Sequence, residues 1–415
     1  MTGRSLTSID AVVDAHLCTG CGACAYLHPD RLQMVDVPQV GRRPLPIVGV
    51  SGPTSGVGVT ACPGRELRHS PGALDGMPFD GEWGPILGVY ECWSTDDEVR
   101  HRGSSGGVVS ALAAHAVTSG SAVGVLQVRA SDSDPLRNET VLNRTYDEIV
   151  GAAGSRYAPA SPCERLDLVE AADGRCVIVG KPCDIAAVSR AAAVRPALNE
   201  KIALTLGIFC AGTPSTRATE DVIRSLGVDP AKVVRVDYRG EGWPGAFRVR
   251  TVDGHAAAMS YEESWGGTLT KNRQWRCLIC PDHTGEFADL SVGDPWYRKL
   301  RNGEAGRSLV VVRTERGRHA LEAALADGAI EGSVLPLARL PQSQPNLEST
   351  RGAVWGRILT MRILGLPVPR FLGMPAFRLW WKLPAKGKLT STAGTVRRIR
   401  ARRLRQPEFD RDRMS

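Results

Sequence analysis

The sequence predicts a mixed α/β body (an α+β mixed sheet), preceded by a small cysteine-rich N-terminal domain and followed by a basic C-terminal tail. Three observations carry this reading. Three cysteines crowd into residues 18–24. From Gly88 onward, short apolar runs alternate with glycine-rich turns and helical patterns. The positive charge is confined to one end: residues 351–415 hold sixteen Lys or Arg against three acids, a net of +13, whereas the whole chain carries only +8. The remainder is therefore mildly acidic.

At 415 residues the chain exceeds one ordinary core, since domains run to roughly 100–200 residues. Its composition divides it at 1–80, 81–165, 166–335 and 336–415. The apolar fraction, 42%, is that of a globular protein. The first residues lack the apolar core of a secretory signal, which points to a cytoplasmic location. In such a reducing compartment, eleven cysteines are expected to be metal ligands or catalytic groups before disulfides. No stretch reaches the ~18 uncharged apolar residues of a membrane span. Nucleic acid is not an expected partner, because the body is acidic and the tail contains no recognition module.

Residues 1–80 are loop-rich and read as a domain held by a bound group more than by a core. Residues 89–93 read as a strand, 103–107 as a Gly/Ser turn, 108–118 as an Ala-rich helix and 123–129 as a second strand. The run 175–180 fits a buried strand, and Lys181-Pro182-Cys183 opens a helix over 184–193. Residues 202–209 form another apolar strand ending at Cys210. Further strands are expected at 232–238, 246–251 and 309–313, and a helix at 315–327.

The chemistry begins with Cys18-Thr19-Gly20-Cys21-Gly22-Ala23-Cys24. Three thiolates on so tight a loop suit one face of an iron–sulfur cube, and the glycines let the backbone approach it. Ferredoxins continue this run with x3-Cys-Pro, whereas this chain has His28-Pro29. The fourth ligand then comes from a distant Cys-Pro, and Cys62-Pro63 has that form. One 4Fe–4S cluster is thus assigned to Cys18, Cys21, Cys24 and Cys62, which makes the N-terminal domain ferredoxin-like. A zinc loop is the competing reading, although zinc sites more often use two separated Cys-x2-Cys units. His28 reads as a surface or supporting residue.

A second set is dispersed. Cys183 and Cys210 each follow an apolar strand, where sites of open α/β sheets form. The loop pair Cys277 and Cys280 can close a four-thiolate site, for which spacing alone leaves zinc open. Cys92 and Cys176 read as buried hydrophobes, and Cys163 is left over. Ser104, Ser105, Gly106 and Gly107 precede a helix with N–H groups and hydroxyls suited to a phosphate or a flavin edge. Many such turns merely cap helices.

Together these motifs resemble the beta-subunit family of coenzyme F420 hydrogenase/dehydrogenase, which also contains 7-hydroxymethyl chlorophyll a reductase. The matching segments run in order: CTGCGAC, ACPG, GSSGGVVSALAAHAV, GSRYAP, VIVGKPCDIAAV, GIFCAGTPS, DYRGEGWPG, CLICPD and ADLSVGDPW, over residues 14–335. The resemblance implies FAD, one or two 4Fe–4S clusters, and exchange with coenzyme F420 or a related donor. It makes Cys183, Cys210, Cys277 and Cys280 a second cluster site and the Ser104–Gly107 turn a flavin contact, so that 81–165 becomes the flavin-binding part of the body. Lys181 is placed beside flavin or cluster, and His101 is a candidate proton donor. Arg239, Trp243 and Asp294 sit in motif loops and shape either the pocket or its turns.

The expected activity is an iron–sulfur, FAD-dependent oxidoreductase. Electrons would pass from an external donor such as ferredoxin through the Cys18 cluster, the second cluster and the flavin to a substrate or deazaflavin, or in reverse. The alternative is a non-catalytic electron-transfer subunit of a larger redox complex. In the tail, residues 355–383 mix aromatic and basic residues, and 395–405 form a basic helical run. That pattern fits a partner subunit, peripheral attachment to an anionic surface at the inner face of the membrane, or a solvated tail partly packed on the body.

Overall fold

Short elements open the chain, as its dense glycines and prolines dictate. The computed structural model describes residues 5–298 and 303–410. Helix α1 (Ile9–Asp14) is capped by Ser8, whose hydroxyl accepts from the Ala11 N–H. The cysteine loop runs into α2 (Ala23–Leu27). Strands β1 (Leu32–Val37) and β2 (Gly41–Pro46) form an antiparallel hairpin. Helix α3 (Val57–Thr60) leads to Cys62 and then to β3 (Glu66–Arg68). Ile9, Val13, Ala25, Leu32 and Val59 give this segment a small core beside Cys18.

The body begins with β4 (Gly88–Ser94), α4 (Asp97–Arg102), α5 (Val108–Thr118), β5 (Gly124–Ala130), β6 (Asn138–Asn143) and α6 (Tyr146–Gly151). It continues through α7 (Leu166–Glu170), β7 (Cys176–Gly180), α8 (Pro182–Ala192), α9 (Pro196–Glu200) and β8 (Ile202–Ile208). Helix α10 (Thr216–Ser225) precedes β9 (Val233–Asp237), β10 (Ala246–Thr251) and β11 (Ala256–Ser260), which form a separate antiparallel sheet. Then come α11 (Trp275–Leu278), β12 (Leu290–Gly293), β13 (Ser308–Val312), α12 (Glu315–Ala326) and β14 (Ile330–Val334).

Eight of these strands make one mixed sheet in the order β14-β4-β13-β12-β8-β7-β5-β6. The middle strands β12, β8, β7 and β5 are parallel, and the outer ones pair antiparallel. Parallel strands are buried on both faces, so they read as near-continuous apolar runs. Successive residues go to opposite layers. Val125 and Val177 pack with Leu112 of α5 and Leu321 of α12, whereas Leu126 and Ile178 pack with Leu166, Ile185 and Val188. Tyr26 and Ala23 of α2 join the second layer, which fixes the N-terminal segment to the sheet.

The C-terminal residues, read from the sequence as a basic tail, pack on the body as helices and one short strand. They form α13 (Arg339–Ser343), α14 (Leu347–Ile363), β15 (Arg370–Leu372), α15 (Ala376–Lys382) and α16 (Ala385–Ala401). Val354, Ile358, Met361 and Ile399 share a core with Val12 and Leu17 of the N-terminal segment and with Trp275 and Ile279. Strand β15 pairs parallel with β3. Apolar burial, worth roughly 25 cal/mol per Å², turns amphipathic basic helices inward when a complementary apolar face exists. Among the described residues no helix is long and apolar enough to cross a membrane.

Candidate functional site

The cysteine loop folds back on itself because Gly20 and Gly22 adopt φ of 74° and 91°. At Gly22 a Cβ would lie 2.7 Å from the Glu164 nitrogen, and at Gly20 one would lie 2.8 Å from the Arg42 carbonyl oxygen. Cys18, Cys21, Cys24 and Cys62 face one cavity, otherwise lined by Ile9, Val12, Met34 and Pro44 among others. Burial pushes the Cys18 thiol up to about 12 and the Cys62 thiol up to about 11, and it raises Cys24 as well. The Gly20 N–H donates to the Cys18 sulfur at 3.3 Å. His28 points elsewhere: its Nε2 accepts from the Gly58 N–H at 3.1 Å and so steadies α3 on the path to Cys62.

The parallel pairing of β7 with β8 brings Cys183 and Cys210 to the same sheet end, as strand order requires. Cys277 and Cys280 approach from α11 and its following turn. Cys183 feels Cys210 and Cys280 electrostatically, and Cys210 feels Cys277. Desolvation drives Cys210 up to about 12 and Cys280 up to about 11. The Gly212 and Thr213 N–H groups donate to the sulfurs of Cys210 and Cys277, each at 3.4 Å. Among the described residues, no three His, Cys, Asp or Glu side chains are drawn close enough to hold a single metal ion. The Cys18, Cys21, Cys24 and Cys62 thiols line one shared cavity, and the four thiols of the second set are half-buried.

Sequence reasoning missed what lies between the sets. Arg43 is fully buried, held by Glu408 at 2.6 and 2.7 Å, and interacts electrostatically with both Cys18 and Cys277. Arg276, also buried, donates to the Pro63 carbonyl at 3.0 Å and lowers the thiols of both Cys62 and Cys280. The Cys163 N–H donates to the Cys21 carbonyl at 2.9 Å, and the Cys163 thiol donates to the Asp184 carbonyl at 3.4 Å. Lys181 is paired with the buried Asp184 carboxylate at 2.5 Å. Burial opposes its charge, but Asp184 and Cys183 outweigh burial and hold Lys181 above its usual range. Cys92 and Cys176 are buried in the sheet core, as their strand positions predicted.

The Gly/Ser turn precedes α5, with Gly107 at a φ of 72°. Its hydroxyls bond within the protein: Ser105 to the Ser308 hydroxyl at 2.9 Å, and Ser104 accepting from the Ser155 N–H at 2.8 Å. A Cβ on Gly106 would meet the Cys92 carbonyl oxygen at 2.7 Å. Ser155 in turn lines a cavity of about 390 Å³ walled by Arg102, Arg129, Arg156, Arg235 and Arg239 together with Asp132, Asp237 and Glu241. His101 is exposed, and its Nε2 lies 3.4 Å from Glu241. Arg239 is bound by both oxygens of Asp294 at 2.9 Å, and the Trp243 indole donates to the same carboxylate at 2.9 Å. Tyr261 and Trp296 lie beside the Arg239 guanidinium, with ring centroids at 4.5 and 5.8 Å.

Comparison with known proteins follows the same chain order. Residues 89–166 match the model for the coenzyme F420 hydrogenase/dehydrogenase beta subunit N-term, and residues 173–336 match that for its C terminus. The chain belongs to this family. As a member of the coenzyme F420 hydrogenase/dehydrogenase beta-subunit family, it is 26% identical to coenzyme F420 hydrogenase subunit beta of Methanococcus voltae over 71% of this chain and all of that protein. It is 26% identical to the F420-dependent formate dehydrogenase subunit beta of Methanocaldococcus jannaschii, over 57% of this chain and 59% of the relative. It is 24% identical to the chloroplastic 7-hydroxymethyl chlorophyll a reductase of Oryza sativa subsp. japonica, over 55% and 47%. A chain of the F420-reducing [NiFe] hydrogenase complex from Methanosarcina barkeri has the same fold, with a TM-score of 0.52 and 23% identity over 67% of this chain and 94% of that one. The two family segments share one sheet here, since β4, β5 and β6 come from the first and β7, β8, β12, β13 and β14 from the second. The Cys18 loop and helices α14–α16 lie outside both segments.

Proposed function

We propose that this family member is an iron–sulfur flavoprotein oxidoreductase, passing electrons between 4Fe–4S clusters and FAD and coupled to coenzyme F420 or to reduction of an organic substrate. The observation that carries the reading is that eight cysteines from distant stretches fall into two four-thiol sets, buried or half-buried, that share Arg43 and Arg276. When bound, clusters carry single electrons and a flavin exchanges them for a hydride.

The chain's own residues do the rest. Cys18, Cys21, Cys24 and Cys62 hold one cluster, and Cys183, Cys210, Cys277 and Cys280 hold the other. The Gly20, Gly212 and Thr213 N–H groups stabilise thiolate charge at Cys18, Cys210 and Cys277. Arg43 and Arg276 offset the negative charge of both sets. Lys181 fixes Asp184 beside Cys183. The arginine-walled cavity suits the phosphates of FAD or a phosphate-bearing deazaflavin. Ser104 serves that cavity by accepting from the Ser155 N–H at its wall, and Ser105, Gly106 and Gly107 shape the turn that presents Ser104. His101 stands beside Glu241, which lines the cavity, and is the residue assigned to deliver a proton.

The test is a stopped-flow experiment in which reduced F420 is mixed with the anaerobically purified protein. Bleaching of bound flavin is expected, and an unchanged flavin spectrum would remove F420 as partner. A second reading, a beta subunit that only relays electrons to a catalytic partner, is supported by the relatives being named as subunits. Under that reading, a tagged chain would co-purify with a second redox protein from its own host.

A further inference from the structure

Several C-terminal cations bond to the body, but one surface is left over. Arg351 pairs with buried Glu286, Arg402 donates to the Arg273 carbonyl, and Arg378 and Lys382 pair with Glu82, which pins α15 to the body. On the neighbouring face of α15, Phe377 and Trp381 are 51% and 65% exposed. Their rings continue inward as a contiguous cluster of tilted and edge-on contacts: Phe377–Trp381 at 6.1 Å, Trp380–Trp381 at 6.5 Å and Trp355–Phe377 at 4.9 Å. The Lys388 ammonium lies 4.7 Å from the Trp381 ring centre. Along α16 the outward positions Lys386, Leu389, Ala393, Arg397 and Arg400 recur every three or four residues, and Leu389 is 66% exposed. Residues 349–407 contain no Asp or Glu at all.

We propose that this aromatic and cationic face of α15 and α16 docks the protein on an anionic lipid surface. A rigidly mounted Trp and Phe beside Lys and Arg is the arrangement that settles at a headgroup boundary, with rings below and ammonium groups among the phosphates. The absence of acids over 349–407 makes the complement anionic. The helices are too short and too charged to cross, at 7 and 17 residues, so the protein lies on the surface and detaches reversibly. This inference is carried by residues other than the cysteines and the arginine cavity, and stands whatever cofactors the chain binds.

Full-length protein is sedimented with vesicles of phosphatidylglycerol and phosphatidylcholine, and separately with phosphatidylcholine alone. Binding to the anionic vesicles is expected to be about tenfold or more the stronger and to weaken in high salt. The double variant Phe377→Ser/Trp381→Ser is expected to bind about tenfold less, and Lys386→Glu/Arg397→Glu/Arg400→Glu to lose the preference for anionic vesicles. These side chains are exposed, and circular dichroism checks that the variants stay folded. Quenching of wild-type tryptophan fluorescence by brominated lipid gives an independent reading that needs no variant. Absence of binding, equal binding to neutral vesicles, undiminished binding of the Phe377/Trp381 variant or absence of quenching would each overturn the proposal. A surface reserved for another protein would give the first of these results.

Discussion

Asp294 and Arg239 show how a single motif residue acquires its meaning from a distant one. The guanidinium is 5% exposed, and Asp294 is its ion-pair partner. Burial alone would lower the Arg239 pKa, but Asp294 more than reverses this and holds it well above the usual range. Asp294→Asn leaves a buried charge uncompensated, and a loss of roughly 3–5 kcal/mol in denaturant unfolding is expected. A loss below about 1 kcal/mol would mean that the aromatic rings and backbone suffice. Arg43 makes a second residue-scale claim. Its charge reaches Cys18 and Cys277, so, if the proposed clusters occupy both sets, Arg43→Met is expected to make both harder to reduce in an EPR-monitored titration. A shift confined to one centre would contradict the shared role. Arg239, Trp243 and Asp294 were legible as motif residues, but a pairing across 55 positions was not. Nothing local marks Arg43 or Cys163, because their significance lies in partners brought from the C-terminal Glu408 and the N-terminal Cys21.

At the scale of elements, the cysteine loop depends on glycine conformation. Gly22→Ala must place a Cβ 2.7 Å from the Glu164 nitrogen at a φ of 91°. A penalty of at least about 1–2 kcal/mol and loss of iron from the N-terminal set are expected, whereas Gly266→Ala, which meets nothing within 4 Å, serves as the neutral control. Iron retained at the wild-type level in Gly22→Ala would show that the loop tolerates a shift. The strongly patterned elements were legible. The helix expected at 108–118 is α5 to the residue, and the apolar runs at 175–180 and 202–209 are the adjacent parallel strands β7 and β8. Strands β6 and β14 were missed because they lie at the sheet edges, where NETVLN and IEGSV carry too few apolar residues to signal a strand. The strands expected at 232–238 and 246–251 exist, but their membership of a second sheet is a tertiary fact.

At the scale of the molecule, the sequence divides charge between an acidic body and a basic end, and the fold reunites them. The C-terminal helices close over the region that holds Cys62, Trp275 and Ile279. An amphipathic basic helix has one pattern whether its apolar side meets lipid, a partner or its own protein, so the sequence left that choice open. The core around Val354 and Ile358 decides it for α14, while the outward face of α15 and α16 remains for an outside surface. The two cysteine sets lie where the N-terminal segment, the sheet and these helices meet. The central claim is that both sets hold clusters beside a flavin. It is tested most directly by assaying iron, acid-labile sulfide, zinc and flavin in anaerobically purified protein. About eight irons, about eight sulfides and about one flavin per chain are expected, falling to about four irons in Cys62→Ser and in Cys183→Ser alike. A colourless protein with zinc in place of iron, or four irons untouched by Cys183→Ser, would contradict the account.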